Sequence, residues 1–575
     1  MILQALKEYY DRKPDLPRAG FEMKEIPFVI VLDRLGNPVS LNETTEIQGK
    51  KKRAKTFLVP QTVKRSLRIA ANILWDNPEY VLGVVLKGNA KRVAAQHAAF
   101  QKRIADLGET TEPGLIAVRK FLVRNDKAQL LETFGEPWKR LVESGGNITF
   151  QLAGEKYIVA ETSFVRDAIG RAAGGGVGGK ALCLVSGSED AIERLHAAIK
   201  GVWGAQTSGA NIVSFNQDSF CSYGKEQGAN SPVGKTAAFA YTTALNHLLS
   251  KDSKQRMQVG DASTVFWSSH ETKFESEVLD FFGEPPKDDP ARGTRAVESL
   301  FKSVLTGALA DEDAGLNFYV LGIAPNASRI AIRFWIVDTI PNMAVRFCQH
   351  FEDIRIVHGP REKDALSLFR LLVSTAVQGK SENILPNVAG ETMRAILEGR
   401  QYPQTLLQAA VRRLRAEHEI THPRAALIKA CLNRSLRFNI TPNTEELKVS
   451  LDLNNTNTGY RLGRLFAALE KIQSEANPGI NATIRDKFYG AASSTPVTVF
   501  GNLMRLKNHH LAKLDSVGRR ITFEKLLGEI ICGINDFPPH LTLDDQGRFA
   551  IGYYHQMQDF FTKKANSETT KGENT

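Results

Sequence analysis

The sequence predicts an α+β protein: an N-terminal mixed α/β region with antiparallel hairpins, followed by a C-terminal α-helical bundle. Three observations carry this. Residues 317–337, NFYVLGIAPNASRIAIRFWIV, place β-branched and aromatic residues in two arms around Pro325-Asn326-Ala327-Ser328, which reads as a hairpin and its turn. Residues 26–32, IPFVIVL, have the length and character of a buried strand, and Arg34-Leu35-Gly36-Asn37 follows as a turn. Beyond about residue 360 strand signals fade and helical spacing takes over, as in Leu462, Leu465, Phe466, Leu469 and Ile472.

Taken in order, residues 2–12 read as a helix with Leu3, Leu6 and Tyr10 on one face, ended by Pro14 and Pro17. The strand at 26–32, its turn and a second short strand come next, and then a basic stretch interrupts the sheet pattern. Residues 90–106 read as a basic helix. A hairpin is expected at 148–160, with ITFQL and KYIVA flanking Ala153-Gly154-Glu155. ALCLVSG after a glycine-rich loop, NIVSF at 211–215 and TVFW at 264–267 are further strand candidates. Helices are expected at 404–417, 422–435 and 521–532. Val499, Leu503, Leu506 and Leu514 form another apolar stripe; His510 lies in it and reads as a core histidine. Short-looped amphipathic helices in series imply a bundle. Three regions follow, 1–135, 136–360 and 361–575, the last ending in a polar, disordered tail.

The bulk numbers describe a globular chain with a basic excess. Its 575 residues carry a formal net charge of +11 and are 42% hydrophobic. That balance favours nucleic acid or another polyanion over a small acidic metabolite. Cys183, Cys221, Cys348, Cys431 and Cys532 are odd in number and widely spaced with no CxxC pair, so reduced thiols are expected. Neither a signal-peptide order nor a run of 18 apolar residues occurs, and a cytoplasmic protein without a membrane partner is the expectation.

Residues 47–75, IQGKKKRAKTFLVPQTVKRSLRIAANILW, concentrate positive charge. Lys50, Lys51, Lys52, Arg53, Lys55, Lys64, Arg65 and Arg68 fall within it, and no Asp or Glu does. Such a field attracts polyanions, although a solvated surface loop has the same composition. Asn72, Trp75 and Asn77 close the stretch; basic groups hold phosphates and amides read base edges.

Two glycine-lysine loops fall short of a phosphate-binding loop. In residues 174–180, GGGVGGK, the next residue is Ala181, so the Mg²⁺-binding hydroxyl is missing, and the loop precedes a strand instead of a helix. The run from Gly228 to Lys235 and Thr236 precedes a helix, but its spacer has one residue too many and contains Pro232. No HExxH or GxSxG motif occurs, and His509 and His510 are adjacent and so point to different helix faces. No catalytic residue, metal ligand or cofactor is assigned. A nucleotide hydrolase using a glycine-lysine loop and a general RNA-binding scaffold are the alternatives.

Long strings resemble a known family. CLVSGSEDAIERLHAAIKGVWGAQTSGANIVSFNQDSFCSYGKEQGANSPVGKTAAFAYTTALN and DASTVFWS, within 183–268, are similar to the large subunit of the type I-C CRISPR surveillance complex, Cascade, in the Csd family. MILQALKEYY, FEMKEIPFVIVLD, LWDNPEYVLG, NFYVLGIAPNASRIAIRFW, LGRLFAALEKIQ, NATIRDKFYGAASSTPVTVF and QGRFAIGYYHQ extend the likeness almost end to end. The resemblance implies a non-catalytic subunit at the foot of an RNA-guided complex. Such a subunit recognises the protospacer-adjacent motif in duplex DNA, promotes strand opening and R-loop stabilisation, and helps recruit a helicase-nuclease. Implied partners are the guide crRNA complex, target double-stranded DNA, the backbone, foot and small subunits, and the helicase-nuclease. The C-terminal helices are expected to resemble the small subunit.

On this reading Asn72 and Asn77 are candidate motif readers, with Lys87 and Asn89 in LKGNAKR as a second loop. Caps and turns are the competing roles for these asparagines. Lys50, Lys51, Lys52, Arg53, Lys64, Arg65, Arg68, Lys91 and Arg92 are candidate DNA-backbone contacts. Gln206, Ser208 and Asn211 form a third polar loop. Arg461, Arg464 and Lys471 are candidates for holding the displaced strand, with Arg412, Arg413 and Arg415 as a further cluster; each could equally be a solvated helix face.

Overall fold

A computed structural model describes residues 1–48, 51–63, 69–86, 89–174, 180–308, 315–439 and 445–562. Helices dominate, with small sheets concentrated in the N-terminal half, as the α+β reading expects. Contacts group the chain into two compact units. The first holds Met1–Ala197 and Val213–His247; the second holds Ala198–Ile212 and the chain from Leu248 onward. The division differs from the three-region reading. The hairpin of residues 317–339 shares one hydrophobic core with the C-terminal helices, so no boundary forms at residue 360.

In the first unit the helix Ile2–Asp11 forms as expected. A four-stranded sheet runs in the order Pro38–Glu43, Phe28–Leu32, Ile148–Leu152, Trp75–Asp76. Phe28–Leu32 pairs in parallel with Ile148–Leu152, Phe28 opposite Ile148. This corrects the expected hairpin at 148–160. KYIVA forms only a bridge from Ile158 to Gln151 before a short 3-10 turn, because the edge of Ile148–Leu152 is already taken by strands distant in sequence. Phe28, Ile30, Ile148, Phe150 and Phe121 pack the core.

Two parts of the basic stretch form strands that the sequence reading did not expect. Thr56–Pro60 pairs antiparallel with Phe21–Glu25, and Lys51–Arg53 pairs with Glu46–Gln48. In the first pair only Phe21–Glu25 alternates, with Phe21 buried and Glu22, Lys24 and Glu25 wholly or partly exposed.

In the second unit a four-stranded antiparallel sheet runs Arg256–Val259, Ala262–Ser268, Asn317–Asn326, Arg329–Thr339. Asn326 lies opposite Arg329, leaving Ala327 and Ser328 as a two-residue turn, with Ala327 at φ +52. NIVSF does not add a strand; Asn211 makes a single bridge to Arg329. Phe274, Phe281, Phe282 and Phe347 join the sheet to the helices.

The helices Gln404–Glu417 and His422–Phe438 match the periodicity closely. Thr458–Ala476 packs on Leu543–Phe561 with almost no space between backbones. A Cβ at Gly463 would lie 2.0 Å from the Phe549 carbonyl oxygen, and one at Gly552 2.0 Å from that of Tyr460. Only glycine permits this approach. Asp353, 1% exposed, accepts from Arg434 at 2.5 Å and Arg437 at 2.6 Å, a buried cluster whose charges compensate one another. No helix among the described residues is long and apolar enough to cross a membrane.

Candidate nucleic-acid interface

The segment that closes the basic stretch is built into the first unit. Trp75 is 2% exposed; its indole N–H donates to the Pro60 carbonyl at 2.8 Å, and Lys24 Nζ lies 5.3 Å from its ring centroid. Asn72 is also 2% exposed. Its side-chain oxygen accepts the Val63 N–H at 3.0 Å, and its own N–H donates to Asp76 Oδ2 at 3.0 Å. These bonds pin both ends of the span between Val63 and Asp76. Asn72 is therefore a clamp inside the fold, since a buried amide bonded to backbone presents no edge to a base groove.

Asn77 and Asn89 are helix caps. Asn77 Oδ1 accepts the Tyr80 N–H at 3.2 Å ahead of Pro78–Leu82, where proline occupies the first turn. Asn89 Oδ1 accepts the Lys91 N–H at 2.9 Å ahead of Ala90–Ala105. Each thereby uses its acceptor oxygen locally. Lys50, Lys64, Arg65, Arg68 and Lys87 lie outside the described residues. Lys51 and Lys52 are placed as backbone in a short ribbon, with Arg53 opposite Glu46.

Among the described residues of this unit, the Ala90–Ala105 helix carries the clearest cationic surface. It buries Val93, Gln96, Phe100 and Ile104 and contains no acidic residue. Lys91, Arg92, Lys102 and Arg103 are all exposed, and none has an acidic partner among the described residues. Lys91 and Arg92 stand in the first turn, where the helix dipole disfavours positive charge by about 0.3–1 kcal/mol. Cations there work against the helix and are available to an external anion.

The elements that follow the two glycine-lysine loops are those the sequence implied, a strand after the first and a helix after the second. Residues 175–179 lie outside the described residues, and Lys180 opens a strand, Lys180–Leu182. Lys235 opens a helix, Lys235–Leu248, but the start of that helix is already occupied. Asp190 Oδ2 accepts the Thr236 N–H at 3.0 Å, and a Cβ at Gly234 would lie 2.4 Å from the same oxygen. A phosphate at this helix end would meet a carboxylate in its place.

The expected displaced-strand face does not form one surface. Arg464 is 1% exposed, with Nη2 2.8 Å from Glu529 and Nε 3.1 Å from Gln556 Oε1. This corrects its assignment: helical spacing set it beside Arg461, but the Leu543–Phe561 helix covers it. Arg461 is half-buried; its Nε donates to the Asn455 carbonyl at 2.7 Å, and its guanidinium lies over Gly533. Lys471 pairs with Glu475 at 3.3 Å, which also takes Arg519 at 2.6 Å. Arg412 and Arg415 are exposed, whereas Arg413 lies 3.6 Å from Glu417.

A basic face the sequence reading passed over lies on Phe500–Ala512 and the chain after it. Arg505, His509 and Lys513 recur every four residues and are exposed, opposite buried Leu503 and Leu511. Lys525, on Val517–Ile531, is exposed as well. The signal was available: polar residues in the intervals of the apolar stripe define its outer face. His510 is not a core residue. It is partly exposed, with Nδ1 3.3 Å from Asn477 Nδ2.

Gln206, Thr207 and Ser208 are exposed on a tight turn, with the Gly209 N–H donating to the Gln206 carbonyl at 2.9 Å. Among the described residues no group of three His, Cys, Asp or Glu side chains is arranged to hold a metal, and the five cysteines are free thiols.

A search of curated proteins finds no match to the chain. A family described as CRISPR-associated protein (Cas_Csd1) matches residues 6–561, which takes in both compact units from the first helix to the last. The chain belongs to the Cas_Csd1 family of CRISPR-associated proteins.

Proposed function

We propose that this chain is the non-catalytic large subunit of a type I-C Cascade complex. It engages target duplex beside the guide-bearing subunits, reads the protospacer-adjacent motif, promotes strand opening and holds the displaced strand. It also helps recruit the helicase-nuclease that cuts. In such a division of labour base pairing to the guide carries most of the sequence specificity, and the protein needs a short motif reader and distributed cations.

The observation that carries this reading is the Ala90–Ala105 helix, acid-free, with four exposed cations, two of them in a turn whose dipole repels them. Arg412, Arg415, Arg505, Lys513 and Lys525 extend the same chemistry over the second unit. Dispersed positive side chains suit a phosphate backbone, where each neutralised phosphate releases counterions. The test is binding of target duplex by the assembled complex, with and without this chain, as salt is raised. Loss of duplex engagement without the chain, and a steep salt dependence with it, are the expected results. Unchanged engagement in its absence ends the proposal.

A further inference from the structure

We propose that the turn from Ile199 to Ala210 is a nucleobase-contacting loop, and that the Trp203 ring stacks on an unpaired base. This rests on the reading of the chain as a DNA-engaging subunit. Trp203 is 65% exposed, and the other four tryptophans are buried or half-buried. A large apolar ring in water is costly to maintain, at about 25 cal/mol for each Å² left uncovered. Its exposure leaves the ring available to an external partner.

Backbone hydrogen bonds close the loop, and the ring faces outward. Ile199 and Ala210 exchange backbone hydrogen bonds at 2.8 and 2.9 Å, and both are buried. Val202 turns inward at 5% exposure, so the next side chain, Trp203, turns out. The Trp203 N–H donates to Ser263 Oγ at 2.9 Å, tying the loop to the sheet. Gly201 has φ +83 and Gly209 φ +93; a Cβ at either would lie 2.7 Å from a carbonyl oxygen, of Leu249 and Ile199 respectively. The path of this loop thus requires glycine at both positions.

The surroundings suit a base better than a protein. From residue 198 to 212 there is no acidic side chain, and Lys200 adds a cation. Gln206, Thr207 and Ser208 are exposed on the same turn. A protein hot spot is seated within a patch of other packed groups, whereas a single ring among polar residues is the arrangement of a stacking platform.

The test uses the full-length chain at low salt with two probes, a fully paired duplex and a fork carrying 2-aminopurine in its unpaired arm. Trp203→Ala is expected to weaken fork binding about tenfold and change duplex binding by less than about twofold, with Trp203→Phe retaining most of the fork affinity. The 2-aminopurine signal should be quenched by the parent chain and by Trp203→Phe, and not by Trp203→Ala. Equal loss on both probes, or no loss on either, overturns the assignment. So does intact fork binding with failure to join the companion subunits, which would make the ring a protein contact. If the parent chain binds duplex with normal salt dependence while Trp203→Ala is silent on the fork, this inference alone falls. If the parent chain binds neither probe, the proposed function falls and takes the inference with it.

Discussion

The Asn72 side-chain oxygen lies 3.0 Å from the Val63 backbone nitrogen and accepts its N–H from a site that is 2% exposed. The pair joins two points of the basic stretch, Val63 after the Thr56–Pro60 strand and Asn72 just before Trp75. Asn72→Ala leaves the half-buried Val63 N–H without its partner and breaks the bond to a buried amide, which should cost about 1–2 kcal/mol. Urea unfolding of the full chain measures this. Any loss of DNA discrimination in the variant should track the loss of stability, and a normal midpoint with lost discrimination would return Asn72 to base reading.

Lys91 and Arg92 offer a sign test, because the fold and the proposed function pull in opposite directions. Charge reversal of both places carboxylates at a helix N-terminus, where the dipole favours them by about 0.3–1 kcal/mol each. Thermal stability should hold or rise slightly. Duplex affinity should fall, and the log–log salt slope should shrink by about 2, near 0.9 for each lost phosphate contact. An unchanged slope would remove this helix from the interface.

Arg464 should respond in the opposite way. Arg464→Ala removes a buried cation from Glu529 and from the fully buried Gln556, and a cost of about 2–4 kcal/mol is expected. Glu529 is 48% exposed, so Glu529→Gln should cost below about 1 kcal/mol. Neither change should alter the salt slope of DNA binding at temperatures where the variant is folded. Calorimetric melting alongside salt titration separates the two effects.

Stability should decline in acid below pH 6.5. Burial holds the imidazoles of His350 and His555 down at about 3 and that of His422 at about 4, from an ordinary 6.5. Between those values the unfolded chain binds protons that the folded chain refuses, so stability rises with pH across the window. Their contribution is complete above about 6.5 and is lost progressively as pH falls, toward about 4 for His422 and about 3 for His350 and His555, with a slope of up to about 1.4 kcal/mol per pH unit for each histidine. Denaturant midpoints at pH 7, 6, 5 and 4 check this. His555→Gln should flatten the curve by one histidine's share.

The elements legible from sequence were those whose partners lie close along the chain. The hairpin of residues 317–339 satisfies its own ladder, and its alternation was readable without knowing the rest. The Gln404–Glu417 helix was equally local. KYIVA failed as a strand because Ile148–Leu152 found Phe28–Leu32, a pairing that no local pattern encodes. Asn77 and Asn89 could be read as caps, since each directly precedes a helical run.

Sequence alone determined the α+β composition, the basic excess, the departure of the two glycine-lysine loops from phosphate-loop spacing and the family likeness. These depend on residue type, spacing and long shared strings, which survive without coordinates. Tertiary structure decided which polar groups are available. Asn72 and Arg464 are chemically suited to nucleic acid and are closed off by Val63, Gln556 and Glu529, while Trp203 is left open. The reason is that periodicity assigns a side chain to a face, but only packing against distant elements determines whether that face meets water.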